Sequence, residues 1–152
     1  MAFTAQDVKN LREKTGAAIM DCKKALEEAN GDMKKAEELV KARGLAKAEK
    51  KADRETKEGF IGTYVHTNGK IGVMVELLCE TDFVGRNEEF QKLAREIALH
   101  LATSEAKDVE ELLQEEYVRD ASVTIEGLVK QLSGKIGEKL VVNRFIRYIV
   151  GE

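Results

Sequence analysis

The chain reads GFIGTYVHTNGKIGVMVELLC over residues 59–79, and this stretch decides the fold class. Its first part alternates loosely between apolar and polar side chains. Its last part is a nearly continuous apolar run, which is typical of a central strand or of one covered on both faces. Asn68-Gly69 separates the two parts and favours a type I′ turn, in which both residues have positive φ. The stretch therefore predicts an antiparallel β-hairpin.

Helical and strand patterns continue after the hairpin. Asn87 is a candidate N-cap, and it precedes a stripe of apolar residues at helical spacing: Phe90, Leu93, Ala94, Ile97 and Leu101. We expect this helix to pack on the hairpin. Asp108–Tyr117 and roughly Ser122–Leu132 are predicted as shorter helices, and Leu140–Val150 as a third strand. The fold class predicted is α+β, with a three-stranded antiparallel sheet packed on helices.

The first 44 residues predict three short helices that form a small bundle. Thr4 and Asp7 resemble a capping box at the start of the first helix. Gly16, Asn30-Gly31 and Gly44 are the predicted ends of the three helices. The following segment, residues 45–58, is rich in alanine and lysine, a pattern that fits either an exposed helix or a flexible connector.

Composition excludes several classes of protein. The 152 residues include 25 Lys and Arg and 28 Asp and Glu, which gives a net charge of −3 and argues against a generally basic nucleic-acid binder. No stretch is long and apolar enough for a membrane span or a signal peptide, so we expect a cytoplasmic protein with no direct membrane contact. Cys22 and Cys79 form no CxxC pair and make no zinc spacing with the two histidines, so we expect no metal and two buried thiols.

The segment CETDFVGRN at residues 79–87 joins the hairpin to the next helix and contains a bulky aromatic, Phe83. Connections of this kind often carry binding residues on a rigid scaffold. The alternative is that Phe83 turns inward as a plug between hairpin and helix, because aromatic side chains are largely buried on average. The residues alone leave both interpretations open, with the plug favoured.

Two long blocks of sequence resemble the elongation factor Ts family, the bacterial nucleotide exchange factors for elongation factor Tu. The first is VKNLREKTGA at residues 8–17, continued by MDCKKALEEANGD at 20–32. The second is ETDFV at 80–84 with Arg86-Asn87 behind it, and VVNRF at 141–145 resembles the closing strand of the family. The resemblance implies a ubiquitin-associated-like three-helix module at 1–52, with a basic linker to about 58, and a core (dimerisation) domain at 56–152.

The resemblance also implies a mechanism that involves no chemistry by this chain and no cofactor. Thr81, Asp82, Phe83 and Val84 are expected to enter the partner GTPase, displace its Mg²⁺ and release GDP. Further contacts with the partner are expected at Arg12, Ile19, Met20, Arg86 and Asn87. The alternative for Ile19 and Met20 is a place in the core of the three-helix module itself.

The chain departs from the family pattern at three points. Ile19 replaces a usual methionine, which conserves volume. Gly85 replaces a usual alanine and is expected to loosen the start of the next helix. The length has room for one core lobe, whereas long members have two, so we expect a homodimer paired through the sheet that engages two partner molecules.

Other functions are weaker alternatives. Gly69-Lys70-Ile71-Gly72 and Gly134-Lys135-Ile136-Gly137 fit the GxxG pattern of KH-type RNA-binding modules, but the acidic C-terminal half would repel phosphate. A ubiquitin- or peptide-binding adaptor would leave the hairpin and Phe83 without a role. An enzyme is disfavoured because no cluster of nucleophile, base and orienting group can be recognised.

Overall fold

A computed structural model describes residues 2–152, with the backbone alone at positions 48 and 49. The described chain divides into two compact units. The first comprises the chain up to Asp53 together with Lys130–Gly137, and the second comprises Arg54–Val129 and Glu138–Glu152.

The first unit is a bundle of three helices: α1 (Ala5–Thr15), α2 (Ile19–Glu28) and α3 (Met33–Lys50). The capping box predicted at the start of α1 is present, because the Thr4 hydroxyl accepts from the Asp7 amide while the Asp7 carboxylate accepts from the Thr4 amide. Small and aliphatic residues from all three helices fill the core: Val8, Leu11, Cys22, Ala25, Leu26, Ala29, Ala36 and Val40. The bundle is held by this compact core.

The predicted end of α3 at Gly44 is wrong, because the helix continues to Lys50. A glycine inside a helix costs only about 1 kcal/mol, and the alanines and lysines that follow it are strong helix formers. The extension is also tied to α2, since Lys47 Nζ lies 2.7 Å from a carboxylate oxygen of Asp21. The first part of the segment left open by the sequence is therefore a helix.

The sheet of the second unit has three antiparallel strands: β1 (Glu58–Val65), β2 (Ile71–Cys79) and β5 (Val141–Ile149). Their order is β1-β2-β5, so β2 is central and β5 is the predicted third strand. One face of the sheet is covered by α5 (Glu88–Thr103), whose apolar stripe is buried as predicted. This confirms an α+β fold with a three-stranded antiparallel sheet packed on helices.

The hairpin turn differs from the predicted type I′ turn. Gly69 has φ +70°, but Asn68 does not have positive φ. The Gly69 amide instead bonds to the His66 carbonyl, and the His66 amide bonds to the Ile71 carbonyl across a five-residue connection. The left-handed residue is thus glycine alone, which adopts that conformation without steric cost. The Asn68 side-chain oxygen accepts from the Lys70 amide and so stabilises the turn locally.

The segment between α5 and β5 contains a small second sheet that the sequence did not predict. It follows α6 (Val109–Gln114) and pairs β3 (Glu116–Tyr117) with β4 (Asp120–Thr124). A tertiary contact favours the strand over a longer helix, because the Val118 amide donates to Nδ1 of the buried His100 at 3.1 Å. The next helix, α7 (Ile125–Ile136), therefore begins three residues later than predicted, where the Thr124 hydroxyl accepts from the Gly127 amide.

Candidate partner-binding site

The connection between β2 and α5 contains one helical turn, α4 (Asp82–Gly85). Thr81 is its N-cap, and the Thr81 hydroxyl accepts a hydrogen bond from the Val84 amide at 3.3 Å. Asn87 then caps α5 as predicted, with its side-chain oxygen accepting from the second and third amides of that helix. Two successive caps therefore define a short, hydrogen-bonded turn between strand and helix.

Phe83 projects from this turn into solvent, and 81% of its surface is exposed. It is the most exposed large apolar side chain among the described residues. The alternative in which Phe83 is a buried plug is therefore wrong. An exposed aromatic ring on an ordered turn is available to a binding partner.

The inner side of the turn is closely packed. Val84 is only 5% exposed, and Gly85 is buried as well. A Cβ atom at Gly85 would lie 3.3 Å from the Gly59 carbonyl oxygen, which is a tight contact. The Gly85 carbonyl accepts from Gln91 Nε2 at 3.1 Å. These contacts hold the end of the turn. The looser start of α5 that we expect from a glycine at position 85 stays a prediction.

Glu138, just before β5, accepts three hydrogen bonds from the start of the turn, and the sequence patterns did not point to it. Its Oε1 accepts from the backbone amides of Glu80 and Thr81, each at 3.0 Å, and its Oε2 accepts from the Thr81 hydroxyl at 2.6 Å. No local motif signals this role, because Glu138 is 57 residues away from Thr81 in sequence. Only the pairing of β5 with β2 brings them together.

The outer rim of the turn is charged. Arg86 and Asp82 form an ion pair across the turn, with nitrogen and oxygen 2.7 Å apart, and both side chains are largely exposed. Exposed pairs of this kind contribute little to stability, about 0–1 kcal/mol. Both groups are thus free to exchange this contact for one with a partner. Thr81, Asp82, Phe83, Val84, Arg86 and Asn87 consequently lie together in one segment.

The other predicted contact residues, Arg12, Ile19 and Met20, lie in the three-helix unit. Ile19 and Met20 occupy the first turn of α2 and are 53% and 57% exposed, so neither belongs to the core of the bundle. Arg12 lines a hollow of about 480 Å³ in the same unit, together with Lys9 and Asp21 among others. The three-helix unit therefore presents two exposed apolar side chains at the start of α2 and a hollow lined in part by basic side chains.

Both cysteines are buried, as predicted. Burial raises the pKa of the Cys79 thiol to about 11, and the negative charge of Glu138 adds to this effect. Cys79 also donates a hydrogen bond to the Thr81 carbonyl through its sulfur, at 3.2 Å. The thiol beneath the turn is therefore kept neutral and acts as a packing group.

The sheet face opposite α5 is open, and it carries exposed apolar side chains from all three strands: Ile61, Val65, Met74, Ile146 and Tyr148. We call these five residues the open face. Met74 pairs with Ile146 across β2 and β5, and the neighbouring pair on the same face is Glu76 with Arg144, 3.3 Å apart. A hydrogen bond from Asn143 and the charge of Arg144 keep the pKa of Glu76 below its usual value. The face is thus apolar in its centre, with one fixed ion pair beside it.

The two GxxG segments noted in the sequence lie in ordinary elements of the fold. The first GxxG segment forms the tip of the hairpin, and the second ends α7. In the part of the chain that the structure describes, no group of three or more His, Cys, Asp or Glu side chains is placed to hold a metal ion. None of the described helices is long and apolar enough to cross a membrane.

The fold and the site define a two-unit α+β protein that presents an exposed aromatic on an anchored turn. A family profile described as Elongation factor TS matches residues 80–152. The elongation factor Ts of Fervidobacterium nodosum is 43% identical over 197 aligned positions, which cover 100% of both chains, and that of Thermosipho melanesiensis is 41% identical, with 99% of this chain and 100% of the relative covered. The chain belongs to the elongation factor Ts family.

The relatives also differ from this chain in length. The elongation factor Ts of Aquifex aeolicus is 50% identical over 97% of this chain, but the match spans only 53% of that relative. The Fervidobacterium alignment has 197 positions against 152 residues here, so 45 positions of it have no counterpart in this chain. The family is thus shared, while this chain is shorter than these relatives.

Proposed function

We propose that this protein is a guanine-nucleotide exchange factor for elongation factor Tu and that it acts in translation elongation in the cytoplasm. The exposure of Phe83 on the anchored turn at residues 81–85 carries the proposal, since it lies within the block that resembles the exchange motif of the family. Membership of the elongation factor Ts family supports it.

In the proposed mechanism Phe83 enters the partner near its nucleotide site and displaces the groups that hold Mg²⁺. Mg²⁺ requires near-ideal octahedral geometry, so a small displacement of its ligands weakens its binding strongly. A phosphate cradle of backbone amides also loses affinity when its loop shifts. GDP then dissociates, because this chain binds the nucleotide-free partner more tightly than the GDP-bound form.

The residues of the turn have different roles in this mechanism. Phe83 is the wedge, and the exposed Asp82 and Arg86 contact the partner beside it. Val84 is buried and Asn87 is occupied in capping α5, so we assign them to holding the turn in place. Thr81 caps the turn, and its remaining exposed surface faces the partner.

The three-helix unit is proposed to dock on the GTP-binding domain of the partner through Arg12, Ile19 and Met20. Half-exposed isoleucine and methionine side chains make adaptable apolar contacts, and Arg12 of the same unit adds charge. We assign the ubiquitin-associated-like module to residues 1–52 and the core domain to residues 56–152.

We further propose a homodimer in which two copies bury their open faces against each other. The apolar centre of the open face suits a sheet-on-sheet interface, and Glu76 and Arg144 are complementary charges that a two-fold axis can pair between copies. Each copy would then engage one partner molecule.

The exchange function is tested by stopped-flow release of a fluorescent GDP analogue from purified elongation factor Tu. We expect the release rate to rise with the concentration of this protein and then to saturate, and excess Mg²⁺ to slow release. An unchanged rate at saturating protein would refute the proposed function. Light scattering tests the dimer, and a mass near 16.9 kDa at micromolar concentration would refute it.

A further inference from the structure

We propose that Glu138 is a positioning residue for exchange: it holds the turn at residues 81–85 so that Phe83 is presented in one orientation. The inference rests on the proposed function for its consequence, but the positioning itself is a property of the free protein. Glu138 is distant from the exchange motif in sequence, is partly buried and has its carboxylate engaged by the start of the turn, so its role differs from that of a partner contact.

The carboxylate of Glu138 satisfies three donors at the start of the turn. Two are consecutive backbone amides, those of Glu80 and Thr81, both 3.0 Å from Oε1. The third is the Thr81 hydroxyl, 2.6 Å from Oε2. Hydrogen bonds to an ionised carboxylate are shorter and stronger than those between neutral groups. Glu138 therefore fixes both the backbone and the side chain of Thr81.

The Thr81 hydroxyl connects Glu138 to the rest of the turn. Because the hydroxyl donates its proton to Glu138, its lone pairs are left to accept from the Val84 amide, the capping bond of α4. Phe83 lies between these two residues and has 81% of its surface exposed, so its own packing contributes little to its position. The direction of the ring is consequently set by the capped backbone.

A second carboxylate closes the same junction in the opposite direction. Glu80 Oε2 accepts from the Lys139 amide at 2.6 Å, and it also lies 3.3 Å from an Arg54 guanidinium nitrogen. The Glu138 side chain thus accepts from backbone amides just after β2, and the Glu80 side chain accepts from a backbone amide just before β5. This reciprocal arrangement ties the turn to the sheet rather than to its own local segment.

If Phe83 is already held in one orientation, less conformational entropy is lost when it enters the partner. A turn that had to be ordered during binding would reduce the rate of the step in which Phe83 enters the partner. Docking through the three-helix unit does not involve the turn. Loss of Glu138 should therefore lower the maximal rate of GDP release much more than it raises the half-saturating concentration.

The first experiment measures amide hydrogen exchange by NMR on the free protein and on Glu138→Ala. We expect the amides of Glu80, Thr81 and Val84 to exchange at least tenfold faster in the variant, while the amides of the α5 core keep their protection. Glu138→Gln should be intermediate, since its carbonyl oxygen still accepts from the two backbone amides but its NH₂ group cannot accept from the Thr81 hydroxyl. Unchanged exchange at all three positions would overturn the positioning role.

The second experiment measures GDP release with a double-mutant cycle. We expect Glu138→Ala to lower the maximal release rate at least tenfold with less than a threefold change in half-saturation, whereas Glu105→Ala, at a glutamate outside the helices and strands, should leave both unchanged. In a Phe83→Ala background, Glu138→Ala should have little further effect, because it acts through the ring. Equal losses in both backgrounds, as general destabilisation would produce, would overturn the inference.

The two proposals fail in distinguishable ways. If the unmodified protein does not release GDP, the proposed function fails, and the hydrogen-exchange result still decides the positioning role. If the unmodified protein is active and Glu138→Ala matches it, the positioning role fails alone. Should Glu138→Ala not fold, Glu138→Gln provides the same comparison with a smaller perturbation.

Discussion

Gly62 of β1 lies against Ala94 of α5 so closely that a Cβ atom on Gly62 would come 2.4 Å from the Ala94 carbonyl oxygen. Real Cβ atoms essentially never approach an oxygen to that distance, so glycine is required at this position. The strand and the helix meet here backbone to backbone. This contact sets how closely α5 approaches the edge strand of the sheet.

Replacing Gly62 by alanine should therefore destabilise the protein by about 3 kcal/mol, at the upper end of the cost of overpacking a core. The control is Gly44→Ala in α3, because a Cβ there meets no described atom within 4 Å and the residue lies outside the sheet. The control should be neutral or stabilising by up to about 1 kcal/mol, since it reduces the freedom of the unfolded chain. Chemical denaturation of the three proteins measures both values, and equal stabilities of the two variants would contradict the close approach.

Phe83→Ala should slow GDP release from elongation factor Tu at least tenfold while it leaves folding intact. The ring is largely exposed, so the free energy of unfolding should change by no more than about 0.5 kcal/mol. Val118→Ala removes another exposed apolar side chain, in the β3–β4 turn, and serves as the control with normal exchange. Stopped-flow release and thermal unfolding are the measurements. Normal release by the Phe83 variant would exclude the wedge role.

Met74→Asp should convert the proposed homodimer into a monomer. Met74 lies at the centre of the open face, opposite Ile146, and a carboxylate there would be buried without a partner in a sheet-on-sheet interface. We expect the dimer dissociation constant to rise at least a hundredfold by light scattering or sedimentation. Lys92→Asp, at an exposed position of α5 on the opposite side of the sheet, introduces a carboxylate away from the open face and should leave the dimer intact. If both variants keep the mass of a dimer, the copies do not associate through this face.

Alkaline pH should lower the free energy of unfolding through ionisation of the Cys79 thiol. The pKa of this group is about 11 in the folded protein against an ordinary value of 9.0, so the folded chain keeps a proton that the unfolded chain releases. The contribution is fully present below pH 9 and is lost as the pH rises towards 11. Denaturation of the native protein and of Cys79→Ala across that window should show the difference in stability declining. Burial also raises the pKa of Tyr117, but this affects the native protein and Cys79→Ala equally. A stability difference between the two proteins that stays constant with pH would contradict the assignment to Cys79.

Local sequence patterns predicted most of the secondary structure. The capping box at Thr4, the N-cap at Asn87 and the apolar stripe of α5 depend on residues that are close together along the chain, and all three are present. Local patterns gave wrong predictions where contacts between residues far apart in sequence favour a different secondary structure. The ion pair of Lys47 with Asp21 accompanies the continuation of α3 past Gly44, and the bond from the Val118 amide to His100 accompanies a strand where a helix was predicted.

The sequence by itself determined the order of most helices and strands, the family, and the segment that carries Phe83. These follow from periodicity, capping residues and contiguous motifs, which are readable because the interacting residues are close along the chain. The tertiary structure alone decided that Phe83 is exposed, that Gly62 admits the helix backbone, and that Glu138 holds the turn from 57 residues away. Such features arise when the sheet brings β5 beside β2, and no local pattern encodes the contact between side chains that only strand pairing makes neighbours.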